Sequence, residues 1–472
     1  MIAGLKPYPA MRDSGVPWLG QVPKHWEVTR ARYLFREVDR RSQTGSETHL
    51  SMSQKLGLVP SSMVEQRTLV SESYVGGKLC EPDDLVLNRL KAHLGVFARA
   101  RQAGVISPDY TVLRPRRALE VRYFEETLRS SACRSELRVR AKGIVEGFWR
   151  LYTDDFYDIR LCVPPHDEHI AIVRFLDYAD RRIRRYIHAK QKLIKLLEEQ
   201  KQAIIHQAVT RGLNPNVRLK PSGVDWLGEV PEHWGVKRVK QASQILRGKF
   251  THRPRNDPSL YDGPYPFIQT GEVARASKTI TSYRQTLNER GLAVSKMFPT
   301  GTLVMTIAAN IGDVAVLDFE ACFPDSVVGF VPRNGVVRDY LYFVFRAMKQ
   351  ELLREAPVNT QGNLNVDRIG SRGIALPPTP EQHAIVRHIE EQTLSLNRAI
   401  DHAHREITLL REYRTRLIAD VVTGKLDVRE AAASLPDETD EPEARDDSEV
   451  LTEDEDNIAD SDLDVAPEET EA

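Results

Sequence analysis

Residues 164–212 occur twice in this chain, and that duplication limits the fold more than anything else in it. Val163-Pro164-Pro165-His166-Asp167-Glu168-His169-Ile170-Ala171-Ile172-Val173-Arg174 returns 213 positions on as Leu376-Pro377-Pro378-Thr379-Pro380-Glu381-Gln382-His383-Ala384-Ile385-Val386-Arg387. Without a gap, the same shift carries Ile183 onto Leu396, Ile187 onto Ile400, Ile194 onto Ile407, Leu197 onto Leu410, Ile204 onto Leu417 and Thr210 onto Thr423. A long helix demands this, because one inserted residue would rotate everything beyond it by ~100°. The apolar positions step by four and three, through Leu176, Ile183, Ile187, Ile194, Leu197, Ile204 and Ala208, then Ile389, Leu396, Ile400, Ile407, Leu410, Leu417 and Val421. Such a heptad seam predicts two helices, each roughly 65 Å long and each needing a coiled-coil partner. Lys190, Lys201 and Arg414 interrupt the seam, weakening a zipper while helping to set its register. Thr379-Pro380-Glu381-Gln382 reads as N-cap, first-turn proline and capping-box glutamine, and Gly212 and Gly424 as left-handed C-caps. The simplest use of two matched helices is to pack on each other as a rigid spacer.

A second repeat lies upstream of each helix, at a shift of 208. Ser14-Gly15-Val16-Pro17-Trp18-Leu19-Gly20-Gln21-Val22-Pro23-Lys24-His25-Trp26 returns as Ser222-Gly223-Val224-Asp225-Trp226-Leu227-Gly228-Glu229-Val230-Pro231-Glu232-His233-Trp234. This is a Gly/Pro-punctuated extended segment at a helix junction. Its tryptophans are therefore expected to plug a hydrophobic seam rather than stack on bases. Between the repeats lie two segments of nearly equal length and different sequence. The chain reads as junction (1–26), variable domain (27–163), long helix (164–212), junction (213–234), variable domain (235–376), long helix (377–424) and acidic tail (437–472). Short strands are expected at 84–89 and 104–113, with a helix over 121–137; the second domain should have strands at 265–269, 301–307 and 312–317 and a helix over 340–355. The fold class is α+β, with two globular α/β domains in pseudo-twofold arrangement joined by two long antiparallel coiled-coil helices.

The net charge of -1 conceals an asymmetry. Residues 437–472 hold eighteen Asp and Glu against Arg445 alone, a charge of -17; residues 1–436 then hold 65 Lys and Arg against 49 Asp and Glu, a charge of +16. The body is basic enough to want a polyanion, and the tail is acidic and apolar-poor enough to stay disordered. The tail is expected to solubilise, or to mimic DNA and compete for the basic body. No apolar run approaches the ~18 residues of a membrane helix, and the N terminus does not begin a signal peptide, so a cytoplasmic protein is expected. Cys80, Cys133, Cys162 and Cys322 lie far apart, which argues against a zinc site or disulfide framework.

Catalytic signatures are missing from the sequence. Gly77-Lys78 and Gly248-Lys249 lack the upstream glycine and following hydroxyl of a phosphate loop. No amino-methyltransferase tetrad follows either Pro-Pro step. His166 and His169 tempt as metal ligands, but their copies are Thr379 and Gln382, so helix capping is the better reading and no metal site is expected.

The duplicated Ser-Gly-Val-x-Trp-Leu-Gly-x-Val-Pro-x-His-Trp segment and duplicated Pro-Pro…Ala-Ile-Val-Arg stretch resemble the specificity (DNA-recognition) subunits of type I restriction-modification systems. So do Pro266-Phe267-Ile268-Gln269-Thr270-Gly271, Ala309-Asn310-Ile311-Gly312-Asp313-Val314-Ala315-Val316 and Gln361-Gly362-Asn363-Leu364-Asn365. The resemblance runs from Gly4 to about Gly424. Lys142-Gly143-Ile144-Val145-Glu146-Gly147-Phe148-Trp149 departs from the usual polar Gly-Asn-Leu pattern. What the resemblance implies is a subunit without chemistry of its own, each variable domain being a target-recognition domain for half of a split double-stranded DNA target. Two adenine methyltransferase (modification) subunits and the restriction subunits would be its partners, and S-adenosylmethionine, ATP and Mg would sit on those partners. The alternatives are a protein-interaction scaffold that never touches DNA, or an enzyme with degenerate motifs. Base reading calls for Arg, Lys, Asn and Gln in the major groove, and phosphate binding for Lys and Arg. The candidate DNA contacts are Lys78, Arg89, Lys91, His93, Lys142 and Arg150 in the first domain, and Lys249, Arg253, Arg255, Gln269, Asn310, Gln361 and Asn363 in the second. Arg181, Arg184, Arg185 and Lys192, on exposed helix faces, are read as partner-facing or solvated.

Overall fold

The computed structural model describes residues 5–53, 56–64, 74–143, 149–354 and 364–436. Gln361, Asn363 and the acidic tail fall outside them. The chain divides into an N-terminal unit, Met1–His188 with Glu406–Ala472, and a central unit, Ala189–Arg405. The two long helices are His166–Arg211 and Thr379–Val422. Each therefore begins in one unit and ends in the other.

Both units are built around the repeats, down to residue register. In the N-terminal unit Met11–Asp13 pairs with Gln21–Pro23, Met11 opposite Pro23; in the central unit Leu219–Pro221 pairs with Glu229–Pro231, Leu219 opposite Pro231. Likewise Glu27–Arg30 pairs with Arg160–Val163, and Gly235–Arg238 with Gly373–Leu376. Trp26 and Trp234 are each 1% exposed, so neither can stack on a base. Each plugs the end of a helix. Trp26 lies against Gly424 and Trp234 against Gly212, both glycines at φ +73° where a side chain would be strained.

The heptad seam is buried as its spacing predicts. Leu176, Ile183, Ile389, Ile400, Ile407, Leu417 and Val421 are buried, and Ile187, Ile194, Leu197, Ile204, Leu396 and Leu410 half-buried. In the N-terminal unit the interrupting Arg414 bonds Asp180 of the other long helix. In the central unit Lys201 is half-buried, and burial together with the Arg346 charge holds its pKa below the usual lysine value.

The first variable domain carries a four-stranded antiparallel sheet in the order Phe35–Val38, Tyr110–Pro115, Leu85–Asn88, Phe97–Arg99. The helix expected over 121–137 is two helices, Val121–Arg129 and Ser131–Arg140. Ser130 adopts ψ 148° and its hydroxyl accepts from Cys133 N, capping the second helix where a continuous one would have run on. The second variable domain has a five-stranded sheet in the order Ser243–Arg247, Val327–Pro332, Leu303–Thr306, Val314–Leu317, Thr279–Ile280. A four-stranded sheet through Tyr261–Phe267 lies beside it, and the helix runs Arg338–Arg354.

Gly248 shows how tightly this second domain is closed. A Cβ there would lie 1.9 Å from Pro324 O and 2.6 Å from Val327 O, both backbone. Gly248→Ala is expected to destabilise the central unit by about 3 kcal/mol or more, since the main chain must move to admit it. Gly335→Ala, with open space around it but φ +83°, should cost only about 1 kcal/mol. Urea midpoints that fell equally would disprove the close approach.

Two capping expectations fail for tertiary reasons. The second long helix starts at Thr379, and Gln382 does not close a capping box. Its side chain is buried, donates to Pro377 O (2.8 Å) and Gly335 O (2.9 Å), and accepts from Val337 N (2.8 Å). His169, its copy, is 2% exposed, with ring centroids 4.7 Å from Tyr123 and 5.6 Å from Phe124. It is a core residue rather than a cap. Burial, aided by the charges of His166 and Arg117, lowers its pKa to about 4. Between about pH 6.5 and 4 the unfolded chain takes up a proton that the folded ring refuses. The stability from a neutral His169 is therefore present above about pH 6.5 and lost as pH falls towards 4, up to about 3 kcal/mol. His169→Gln, the residue of the other copy, should flatten this part of the stability profile in urea unfolding. Parallel profiles would show that the ring is already solvated.

Candidate nucleic-acid interface

Five of the six candidates in the first domain lie on two stretches, Arg89 to His93 and Lys142 to Arg150, which meet where Leu151 N donates to Arg89 O at 3.0 Å. Arg89 ends the strand edge and donates from Nε to Asp109 O (2.7 Å), with Nη2 4.0 Å from the Asp109 carboxylate. Arg150 sends Nη2 to the same carboxylate at 3.9 Å. Lys142 and Arg150 face each other across a two-residue bridge, N to O at 3.0 and 2.8 Å. The Lys142 ammonium rests on Asp155 at 2.7 Å and is 67% exposed. Lys91 is exposed, and His93 stands edge-on to Trp149 at 5.3 Å. Burial, with the Arg138 charge, lowers the pKa of His93 below the usual histidine value.

Lys78 does not belong here. It is 3% exposed with Nζ 3.5 Å from Glu37, so a strand position that reads as a free cation is spent inside the domain. Conversely, Arg138 and Trp149 were missed. The guanidinium of Arg138 lies 5.1 Å above the Trp149 ring, a cation–π stack. The available signal was an aromatic closing a stretch that departs from its family pattern.

The second domain repeats the device with other residues. Arg253 and Arg255 reach the Asp325 carboxylate at 3.4 and 2.5 Å, and both are about half exposed (54% and 48%). Arg253 also donates to Phe250 O and His252 O, each at 2.8 Å. Lys249 is exposed, its N–H bound to Phe323 O. Ser326, the residue after Asp325, accepts from Ile307 N at 2.9 Å. Ile307 O in turn accepts from Leu364 N at 2.8 Å. These bonds tie Leu364, and the strand end that leads to the exposed Asn310 turn, to the residue beside Asp325. Gln269 is exposed and bonded to Gln285, with no bond to this network among the described residues.

Each domain thus presents two arginines on one exposed aspartate. Exposed ion pairs of this kind are worth ~0–1 kcal/mol, so they are easily exchanged. The aspartate keeps the guanidinium forks near one point without tying them up. A phosphate or a guanine edge offers the same two-acceptor geometry. Among the described residues no group of three His, Cys, Asp or Glu could hold a metal ion, and no helix is long and apolar enough to cross a membrane.

Residues 231–402 match the family described as the type I restriction modification DNA specificity domain. The chain is similar to the type I restriction enzyme MjaIX specificity subunit of Methanocaldococcus jannaschii, 27% identical over 128 residues, or 25% of this chain and 28% of the relative. It is also similar to the putative MjaX specificity subunit of the same organism, 19% identical over 439 residues, covering 87% of this chain and 96% of the relative. A solved chain described under "Structural basis underlying complex assembly and conformational transition of the type I R-M system" shares the fold. Its TM-score is 0.62 at 16% identity, over 86% of this chain and 99% of that one.

Proposed function

We infer that the chain is a specificity subunit of a type I restriction-modification system and reads a bipartite duplex DNA target, one half per variable domain. In this reading it does no chemistry itself. It carries adenine methyltransferase and restriction subunits to the site, and S-adenosylmethionine, ATP and Mg belong to those partners in the cytoplasm. The observation that supports it best is the repeated arginine–arginine–aspartate arrangement on two domains whose supporting repeats share one register. A duplicated scaffold that presents two unlike polar surfaces suits two unlike half-sites. Arg, Asn and Gln on these surfaces would read base edges, and the lysines would bind phosphate.

The test is a map of methylated adenines in a methylation-free host expressing the chain with its neighbouring methyltransferase. Two short defined halves around a fixed unread gap are expected, and replacing residues 27–163 with another such domain should change one half only. Methylation at a continuous motif would sink the two-reader arrangement. No methylation, together with no duplex binding by the assembled complex, would leave a scaffold.

A further inference from the structure

We propose that Asp177 and Glu390 are positioning residues: from one shared place in the helix repeat, each sets the angle at which a variable domain stands on its long helix. The use of that angle, to turn the domain's reading face to DNA, rests on the function proposed above; the clasp itself does not. Asp177 and Glu390 are copies of one another at the 213-residue shift. Each is the helix side of a charge contact with the variable domain of its own unit. In the N-terminal unit Arg122 Nη2 reaches Asp177 at 3.4 Å, and in the central unit Lys278 Nζ holds Glu390 at 2.6 Å.

The domain side of each contact is built on a shared socket. Tyr123 and Tyr340, each the third residue of its helix and each fully buried, aim their hydroxyls at copied carbonyls. Tyr123 OH lies 2.8 Å from Val422 O and 3.3 Å from Cys162 O. Tyr340 OH lies 3.4 Å from Val209 O and 3.0 Å from Ala375 O. Val422 and Ala375 are the positions of Val209 and Cys162 moved on by 213. Two domains of different sequence therefore seat one side chain in the same place. The hydroxyl holds the domain to the end of one long helix, and the charge contact holds it to the start of the other. Apolar contact alone is non-directional, whereas two such points fix an angle.

The residue before each tyrosine carries opposite charge, Arg122 in the first domain and Asp339 in the second. Arg122 meets Asp177 directly, and also pairs with Glu125 and Glu126 of its own helix at 3.0 and 2.7 Å. Asp339, paired with Arg338 at 2.9 Å, would face Glu390 as a like charge. Lys278, just before the edge strand Thr279–Ile280, sits between them, 3.0 Å from Asp339 and 2.6 Å from Glu390. Its ammonium also lies 5.8 and 5.6 Å from the Tyr342 and Phe343 rings. A cation from another element thus replaces the one the helix lacks. The contact survives an inverted charge at its natural partner position, which marks it as more than a chance surface pair.

The experiment uses the full chain with nitroxide labels at Gln350→Cys, on the domain's helix, and Ser395→Cys, on the second long helix. Both positions are exposed, and Cys80, Cys133, Cys162 and Cys322 are all buried. Pulsed electron paramagnetic resonance reads the distribution of distances between the labels. Lys278→Met should broaden it, because two carboxylates at most about 6 Å apart then repel. Glu390→Gln, at a half-exposed position that folding tolerates, should broaden it less. Adding Asp339→Arg to Lys278→Met copies the Arg122 arrangement and should restore the narrow distribution. A distribution unmoved by Glu390→Gln and Lys278→Met overturns the clasp, as does one that Asp339→Arg fails to narrow. In the assembled complex, Lys278→Met should lower the ratio of target to unrelated duplex affinity about tenfold, the factor for one molecule in ten holding the angle, and Asp339→Arg should restore it. A ratio unchanged while the distribution broadens overturns the positioning role. If the unsubstituted complex prefers no duplex, DNA reading itself fails, and the label distances still decide the clasp.

Discussion

Alanine at Glu168 is expected to lower the stability of the N-terminal unit by about 3–5 kcal/mol, whereas alanine at its copy, Glu381, should cost the central unit less than about 1 kcal/mol. The two glutamates hold the same place in the repeat, and each meets the histidine of its junction, His25 at 2.6 Å and His233 at 2.9 Å. Their surroundings differ. The Glu168 side chain is 9% exposed and also accepts from Trp26 Nε1 (2.8 Å) and Tyr8 OH (3.2 Å), with Arg429 at 3.4 Å. Removing it strands two buried donors and a guanidinium. Glu381 is 29% exposed, His233 is 49% exposed, and Trp234 Nε1 makes no hydrogen bond among the described residues. Water can replace what Glu381 provides. Urea unfolding followed by tryptophan emission should show the asymmetry, and equal midpoint shifts would refute it.

The second large effect concerns DNA. Arg89→Ala with Arg150→Ala should weaken binding to a duplex carrying the target by about 100-fold at low salt, while Asp109→Asn should strengthen it severalfold. Both changes break the same two ion pairs, with Asp109 61% exposed. If those pairs served only to hold the loop, both substitutions would act in the same direction. If the aspartate stands where phosphate or guanine binds, the signs must be opposite. Losing two cationic contacts should also flatten the dependence of log K on log salt by about two. Fluorescence anisotropy of labelled duplexes across a salt series measures both quantities. Two decreases of similar size would return Arg89 and Arg150 to a structural role.

Much of the architecture was legible in the residues because it is set by local periodicity and by a gapless repeat. The long helices, their buried seam, the glycines that end them and the shared junction register all follow from spacing along the chain. The use of individual polar side chains was not legible, since each choice depends on a group distant in sequence. Lys78 is withdrawn from the surface by Glu37, and Gln382 turns from its own helix end to the 335–337 loop. His169 is a core ring because Tyr123 and Phe124 close over it. Arg253 and Arg255 converge on Asp325, about seventy residues away, and Arg138 stacks on Trp149 from another element. Backbone periodicity is a property of neighbours and survives in the sequence. Hydrogen-bond and charge partnership is a property of positions in space, and only the folded chain decided it.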